Sequence, residues 1–232
     1  MTQPFPPRQV YLDYAATTPT DPRVAEVMQH YLTTAYGNPS SLHFAGREAK
    51  RAMDDARATF AAGLGAEAQE IIFTGSGSEA DNLALVGVAQ AHPDKGRHII
   101  VSSIEHHAIL ETAKYLVTCG FEVEYLPVDA QGMVASDPLR QALRPDTILV
   151  SVMHANNEIG TVQPIAELAT IAHEHHCLFH TDAVQTVGQI PVDVAELGVD
   201  CHCRNRAPDA RGRRERGRFG QLRIELVSPG GF

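Results

Sequence analysis

The sequence predicts an α/β fold, a mostly parallel, doubly wound sheet with flanking helices. Between residues 70 and 182, short apolar runs rich in β-branched residues alternate with segments of helical periodicity. This alternation is typical of βαβ units, whose strands run parallel. Glycine and polar residues follow several of these runs, at the strand ends where such sheets bind their ligands.

The predicted elements follow in order along the chain. Two amphipathic helices, 21–34 and 46–63, precede the sheet. Asp137 followed by Pro138 indicates the N-cap and the first turn of a later helix. The strands are predicted at 70–74, 98–102, 121–126, 147–152 and 177–181, and the helices among them at 78–91, 106–118, 138–144 and 164–176.

The composition is that of a globular protein. Hydrophobic residues make up 44% of the 232 residues and charged residues 20%. There is no run of about 18 apolar residues that would predict a membrane span, and the first residues show no secretory signal pattern. We therefore expect a cytoplasmic protein without a membrane partner. The four cysteines lack the spacing of a disulfide framework, so free thiols are expected.

The net charge of −9 conceals a division within the chain. Residues 201–232 contain eight arginines and three acidic residues, whereas the first 200 residues carry 11 basic and 25 acidic groups. The sequence therefore predicts an N-terminal segment (1–20), a large domain (21–200) and an Arg/Gly-rich tail (201–232) that is expected to be disordered. The tail lacks aromatic interleaving and a folded basic module, which argues against nucleic-acid binding.

Residues 74–82, TGSGSEADN, follow the first predicted strand and open a helix. Small residues such as Gly77 and Ser78 let the backbone wrap around an anion, and N–H groups at a helix N-terminus point toward it. An ordinary Gly/Ser turn before a capped helix explains the motif equally well, so both interpretations stay open. The Gly-Lys-Ser/Thr ending of a Walker loop is absent.

Asp182 gives the clearest indication of a binding site. It follows an apolar strand, and a carboxylate there is costly to desolvate unless it is paired. A cationic ring nitrogen would pair with it, and Gln185, three residues on, could contact the same ligand. His106 could lay its imidazole against a planar ligand, and Asn157 offers both a donor and an acceptor. A surface histidine pair and a polar turn explain these last two residues without any ligand.

Two runs that contain histidine and cysteine invite a metal interpretation. Residues 173–177 do not match the His-Glu-x-x-His pattern, and adjacent helical histidines point in different directions. The run 201–203 spaces its two cysteines too tightly for one tetrahedral zinc ion. No metal site is expected.

Six motifs follow one another along the chain. They are YLDYAATTP (11–19), GNPSSLHFAGREAK (37–50), FTGSGSEADN (73–82), SSIEHHAI (102–109), SVMHANNEIGTVQPI (151–165) and HTDAVQTVGQIPVDV (180–194). Taken together and in this order, they resemble the cysteine desulfurases, which are pyridoxal 5′-phosphate (PLP) enzymes of the class V aminotransferase group with the fold-type-I architecture. The resemblance implies a fold-type-I PLP transferase large domain.

The resemblance implies a role for each matching residue around the cofactor. Gly77 and Ser78 would hold the PLP phosphate, and His106 would stack on the ring as the one catalytic residue that is present. Asp182 would pair with the ring nitrogen, where it keeps the ring protonated as an electron sink, and Gln185 would contact the ring hydroxyl.

The resemblance also implies an activity and partners. Asn157 would lie beside ring and substrate. Family members take sulfur from L-cysteine, leave alanine, and carry the sulfur as a persulfide to iron–sulfur clusters or thiolated products. A homodimer and sulfur-acceptor or scaffold proteins are the expected partners.

The chain departs from the family pattern after Asp200. The family has a Ser-x-His-Lys motif whose lysine forms the Schiff base with PLP, and that lysine would fall near Pro208. The chain contains only Lys50, Lys95 and Lys114. The persulfide cysteine and the small C-terminal domain of the family are also missing. We therefore expect weak, non-covalent PLP binding and no activity from this chain alone.

The abrupt change at residue 200 suggests that 201–232 is an out-of-frame translation, since GC-rich codons specify Arg, Gly, Pro and Ala. A genuine short isoform with a basic, partner-binding tail is the alternative. Two other functions also stay open. One is a non-catalytic binding or dimerisation partner, and the other is a different class V aminotransferase-type enzyme.

Overall fold

The computed structural model describes residues 10–14, 16–92, 94–204 and 223–227, the last five and 202–204 as backbone only. Seven α-helices, one short 3-10 helix (Ala68–Glu70) and seven strands occur in this part of the chain. In order the α-helices and strands are α1 (Pro22–Thr33), α2 (Phe44–Leu64), β1 (Ile71–Thr74), α3 (Gly77–Ala91), β2 (His98–Ser102), α4 (His107–Thr118), β3 (Glu122–Leu126), α5 (Ser136–Ala142), β4 (Thr147–Ser151), α6 (Ile165–Glu174), β5 (Leu178–Asp182), α7 (Val194–Leu197), β6 (Cys201–Arg204) and β7 (Arg223–Val227).

The strands form one sheet in the order β1-β7-β6-β5-β4-β2-β3. Five neighbouring strands, from β3 through β2, β4 and β5 to β6, run parallel to each other. Strand β7 is antiparallel to both β1 and β6. The predicted α/β fold with a mostly parallel sheet is therefore confirmed, and the five predicted strands lie within a residue of their observed ends.

Every residue of β2 and β4 is buried, because helices cover both faces of the sheet. Alternate residues of a strand point to opposite faces. Ile100 and Val150 therefore pack with Leu168 of α6 on one face, while Ile99 and Leu149 pack against α3 and α4 on the other. This two-sided burial explains why these strands read as continuous apolar runs in the sequence.

A third apolar cluster fixes α2 against the first strand. Phe60 and Leu64 of α2 pack with Ile71 of β1 and with Ala183, which follows β5. The helix ends at Gly65, whose φ of 70° is the left-handed conformation that glycine adopts without strain. This packing holds the start of β1 next to the connection that leaves β5.

Two predictions about local structure need correction. Helix α5 begins at Ser136 with Ala135 at the N-cap position, so Asp137 lies in the first turn and is not the cap. A carboxylate in the first turn is still favoured by the helix dipole. In the tail, Cys201–Arg204 and Arg223–Val227 form β6 and β7, whereas disorder was expected.

Strand β7 forms between β1 and β6, whose facing backbone edges would otherwise be unpaired. Glu225 pairs with Ile72 of β1 on one side and with Cys203 of β6 on the other. A strand placed there satisfies hydrogen-bonding groups that would otherwise remain on two sheet edges. The rest of the predicted tail, 205–222 and 228–232, lies outside the described residues, and the out-of-frame origin stays a prediction.

Candidate functional site

A cavity of about 530 Å³ opens at the carboxyl ends of the parallel strands. Its size is within the range of sites for small organic ligands. Asp13, Asp81, Met153 and Glu158 line it, and these four were not selected from the sequence. All six site residues predicted from the sequence also line it, namely Gly77, Ser78, His106, Asn157, Asp182 and Gln185.

The N-terminus of α3 forms one wall of the cavity. Ser76 caps the helix, because its hydroxyl oxygen accepts a hydrogen bond from the Glu79 N–H at 2.9 Å. The Glu79 carboxylate in turn accepts from the Gly75 N–H at 2.6 Å. These reciprocal bonds fix the turn, so that Gly77 and Ser78 begin the helix at the cavity wall. A helix N-terminus in this position favours a negatively charged group.

Asp182 ends β5 with only 6% of its surface exposed. Its Oδ1 accepts a hydrogen bond from the Val184 N–H at 2.9 Å. Burial raises the pKa of Asp182, while the Val184 hydrogen bond and the charge of His106 act in the opposite direction. A ligand with a cationic group would relieve the cost of keeping this carboxylate ionised.

His106 is the N-cap of α4 and an exposed part of the cavity wall. Its Nδ1 accepts a hydrogen bond from the Ala108 N–H at 3.1 Å. Because a backbone N–H can only donate, the proton of the neutral ring lies on Nε2. The cap therefore orients this ring relative to α4 and sets its tautomer.

Two adjacent asparagines after β4 have different roles. The Asn156 Oδ1 accepts from the N–H groups of Glu158 and Ile159 at 2.9 and 3.0 Å, and its Nδ2 donates to the Ile104 carbonyl oxygen at 3.1 Å. Asn156 thus shapes the loop, and Asn157 is the one that lines the cavity. Gln185 lines the same cavity from the turn after β5.

Two buried titratable groups beneath the cavity were missed by sequence reasoning. Glu105 is 5% exposed, and burial raises its pKa to about 8, with smaller contributions from Asp81 and Asp182 in the same direction. His180 is fully buried, and burial lowers its pKa to about 3. Its Nδ1 hydrogen-bonds Ser151 Oγ at 2.9 Å, and its Nε2 lies 4.0 Å from the Asp81 carboxylate.

These two groups left only weak signals in the sequence. Glu105 directly precedes His106, and His180 interrupts an otherwise apolar strand. Their burial could not be predicted from the sequence, because the residues that surround each of them come from strands distant in sequence. Burial thus favours the neutral forms of Glu105 and His180 at pH 7, whereas Asp182 is the carboxylate that lines the cavity at the end of a strand.

The run 173–177 is divided among different surroundings. His173 Nε2 hydrogen-bonds the Asp200 carboxylate at 2.8 Å, and His175 contacts the Ile171 carbonyl oxygen. Cys177 is buried, which raises the pKa of its thiol to about 12. Within the described ranges, no three histidine, cysteine or acidic side chains are grouped as metal ligands would be.

Residues 10–203 match the sequence profile of the family described as aminotransferase class-V. The chain belongs to this family. Its matched segment ends three residues into the predicted tail and contains every residue of the cavity wall. The predicted resemblance is thus confirmed at the level of the family.

Curated relatives in this family are similar to the chain over 193 residues. The cysteine desulfurase IscS of Dictyoglomus turgidum is 58% identical, with 83% of this chain and 49% of the relative covered. The cysteine desulfurase IscS of Methanosarcina thermophila is 54% identical, with 83% of this chain and 48% of the relative covered. The chain therefore spans about half the length of the curated relatives it matches.

Solved structures of the same kind superpose on the chain. A NifS-like protein has a TM-score of 0.86 and 39% identity, and covers 96% of this chain and 60% of its own. A structure of SspA in complex with cysteine has a TM-score of 0.84 and 37% identity, and the match covers 94% of this chain and 60% of the SspA chain. The chain therefore has the large-domain fold of cysteine-desulfurase-like proteins, as the sequence predicted.

Proposed function

We propose that this chain is the PLP-binding large domain of a cysteine-desulfurase-type protein and binds PLP reversibly. One observation carries the proposal. A helix N-terminus that favours an anion and a buried carboxylate that favours a cation open on the same cavity of about 530 Å³. PLP has both groups, a phosphate and a ring nitrogen that can be protonated, so the residues fit this cofactor.

Each wall of the cavity would hold one part of the cofactor. Gly77 and Ser78 would bind the phosphate at the start of α3. Asp182 would hold a proton on the ring nitrogen, and His106 would stack on the ring face. Gln185 would contact the ring hydroxyl, as the family resemblance implies.

PLP supplies an electron sink for reactions at the α-carbon of an amino acid. The chain would contribute binding and orientation. Asp182 would keep the ring nitrogen charged, and the cap on Nδ1 would keep the His106 proton on Nε2. Asn157 lines the same cavity and, as the family resemblance implies, would contact both the ring and a bound amino acid.

The positions of the lysines support reversible binding. Lys50 lies on α2 beside Asp54, and Lys114 lies on α4 with its Nζ 2.7 Å from Glu111. Lys95 follows α3 in the loop that leads to β2. None of the three lines the cavity. Transfer of sulfur from L-cysteine to acceptor or scaffold proteins, for iron–sulfur clusters or thiolation, would require the lysine and cysteine that the family supplies beyond this matched region.

A homodimer is part of the same proposal. Of the residues in α1, only Val24 is buried. Leu12 before this helix, Leu32 within it and Tyr36 after it are 86%, 75% and 78% exposed. Large apolar side chains that are exposed in one part of the chain are compatible with an interaction surface. A second copy of the chain would cover them, in the cytoplasm, where family members are expected.

Among the described residues, no helix is both long and apolar enough to cross a membrane.

Titration of the purified chain with PLP, followed by absorbance, tests the proposal. We expect a saturable spectral change that dialysis removes and that borohydride does not make permanent. Asp182→Asn should weaken binding roughly tenfold, because it removes the charge partner of the ring nitrogen. Asp193→Asn is the matched control, since Asp193 caps α7 away from the cavity wall.

Four outcomes would count against the proposal. No saturable change would favour the alternative of a binding or dimerisation module without a cofactor. A stable covalent adduct near Asp182 would refute reversible binding. Equal affinity of the wild type and the Asp182→Asn variant would remove the assigned role of this carboxylate. Preference for an amine or a sulfinate over L-cysteine in the complete protein would favour another class V enzyme.

A further inference from the structure

Two loops that carry cavity residues are joined by buried hydrogen bonds. The loop between β2 and α4 ends at His106, and the loop after β4 carries Met153 and Asn157. The Glu105 Oε1 accepts a hydrogen bond from the Met153 N–H at 2.7 Å. In the other direction, Asn156 donates its Nδ2 hydrogen to the carbonyl oxygen of the first loop, at Ile104.

The Met153 N–H is a donor that the sheet itself does not satisfy. The flanking N–H groups of Val152 and His154 donate to the carbonyl oxygens of His180 and Asp182 in β5. In a parallel strand, alternate N–H groups point to opposite neighbours, so the Met153 N–H points toward β2. Strand β2 has already ended at Ser102, so no backbone carbonyl of β2 lies opposite.

We propose that Glu105 is a positioning residue that takes the place of the missing strand carbonyl and fixes His106 relative to the Met153–Asn157 loop. Only the identity of the cavity ligand rests on the proposed function. The Glu105 Oε1 also accepts from Ser102 Oγ at 2.6 Å, which holds the side chain against the end of β2. Glu105 therefore extends the contact between β2 and β4 past the point where the two strands separate to form the cavity.

The electrostatic surroundings indicate which form of Glu105 acts. Asp81 on α3 and Asp182 at the end of β5 face it with negative charge, and burial raises the pKa of Glu105 to about 8. The side chain thus stays protonated at pH 7, and the group that accepts both hydrogen bonds is a neutral carbonyl oxygen. Among the described residues, its Oε2 makes no hydrogen bond. Glutamine has a carbonyl oxygen at the same place, so it should substitute for this form of the side chain.

The test reads the His106 ring directly. Ring nitrogen chemical shifts in ¹⁵N-labelled protein, assigned with His106→Gln, report which nitrogen carries the proton. We expect the Nε2–H tautomer in the wild type and in Glu105→Gln. In Glu105→Ala the His106 N-cap should loosen and the two tautomers should average. Glu105→Asp, which keeps a carboxyl group but is too short to reach the Met153 N–H, gives the same readout if the alanine variant does not fold.

PLP affinity provides a second readout on the same proteins. We expect a loss of roughly tenfold in Glu105→Ala and Glu105→Asp, because the two walls of the cavity lose their fixed separation. Glu105→Gln should stay within about twofold of the wild type, since it restores the acceptor. Glu111→Ala is the matched control, because Glu111 is an exposed residue of α4 that contacts Lys114.

The two readouts separate failure of this inference from failure of the proposed function. If the wild type does not bind PLP, the proposed function fails, while the His106 spectra still decide the role of Glu105. An unchanged His106 tautomer in both Glu105→Ala and Glu105→Asp would overturn the inference. Loss of the tautomer in Glu105→Gln would also overturn it, since a carbonyl acceptor would then be insufficient.

Discussion

Replacement of Glu105 by glutamine should stabilise the protein at alkaline pH. The ordinary pKa of a glutamate is 4.5, and burial raises that of Glu105 to about 8. Between these values the unfolded chain releases a proton that the folded protein retains. The unfolded state then binds fewer protons, so the free energy of unfolding falls as the pH rises from 4.5 to 8. Glutamine does not titrate and should not show this loss.

The size of the effect follows from the shift in pKa. Each pKa unit corresponds to about 1.4 kcal/mol. Between pH 5.5 and pH 8.0, the wild type should therefore lose about 3 kcal/mol of stability relative to Glu105→Gln. Other titrating groups are common to both proteins and cancel in this difference.

Urea denaturation followed by circular dichroism at the two pH values measures this difference. Glu111→Gln is the control, because Glu111 is exposed and its pKa is lowered by Lys114, so its replacement should not produce a gain that grows with pH. Parallel pH dependences for the wild type and Glu105→Gln would refute the reasoning. That result would mean that Glu105 ionises normally in the folded protein.

Three further predictions concern the sheet and the start of α3. Phe179→Ala should lower the free energy of unfolding by about 3–5 kcal/mol, because this fully buried ring fills the core between α6 and the sheet; a loss below about 1 kcal/mol in urea denaturation would contradict this packing. Ser76→Ala should cost about 1 kcal/mol and weaken PLP binding, since the hydroxyl that caps α3 at the Glu79 N–H is lost; unchanged stability would show that the cap contributes nothing. Glu225→Pro should speed amide hydrogen exchange in Ile71–Thr74 but not in β2 or β4, because proline lacks a backbone N–H and is disfavoured in the middle of β7, which pairs with both β1 and β6; the same exchange rates in Ile71–Thr74 in both proteins would argue against the pairing of β7 with β1.

The central strands could be predicted from the sequence because their burial is local information. The predicted strand 98–102 coincides with His98–Ser102, since all of its residues are buried and its centre, 99–101, is a continuous apolar run. The start of α5 was placed wrongly because Asp137-Pro138 is also compatible with the first turn of a helix. Strand β7 was missed because its pairing depends on open edges of β1 and β6, which no local pattern reveals.

The cavity wall was predictable because strand ends of a parallel sheet meet at one edge. Asp182 ends a strand, and His106 and Asn157 each lie in a segment that follows one, so the fold class alone was enough to bring them together. Glu105 was not predictable in the same way. Its partner, the Met153 N–H, lies 48 residues away, and only the separation of β2 from β4 leaves that donor for a side chain. The cofactor roles of the six wall residues stay predictions until a ligand is measured.

The position of β7 has a consequence for the order of folding during synthesis. Strands β2 to β5 lie within residues 98–182, and all of them are synthesised before β7 is translated. Strand β1 is made first, yet the register that pairs Ile71 with Leu226 joins it to the sheet only through β7. Pairings this distant in sequence form slowly. Strand β1 leads into the turn before Gly77 and should therefore become ordered after β2 to β5. The cavity wall at the start of α3 should form after the rest of the cavity.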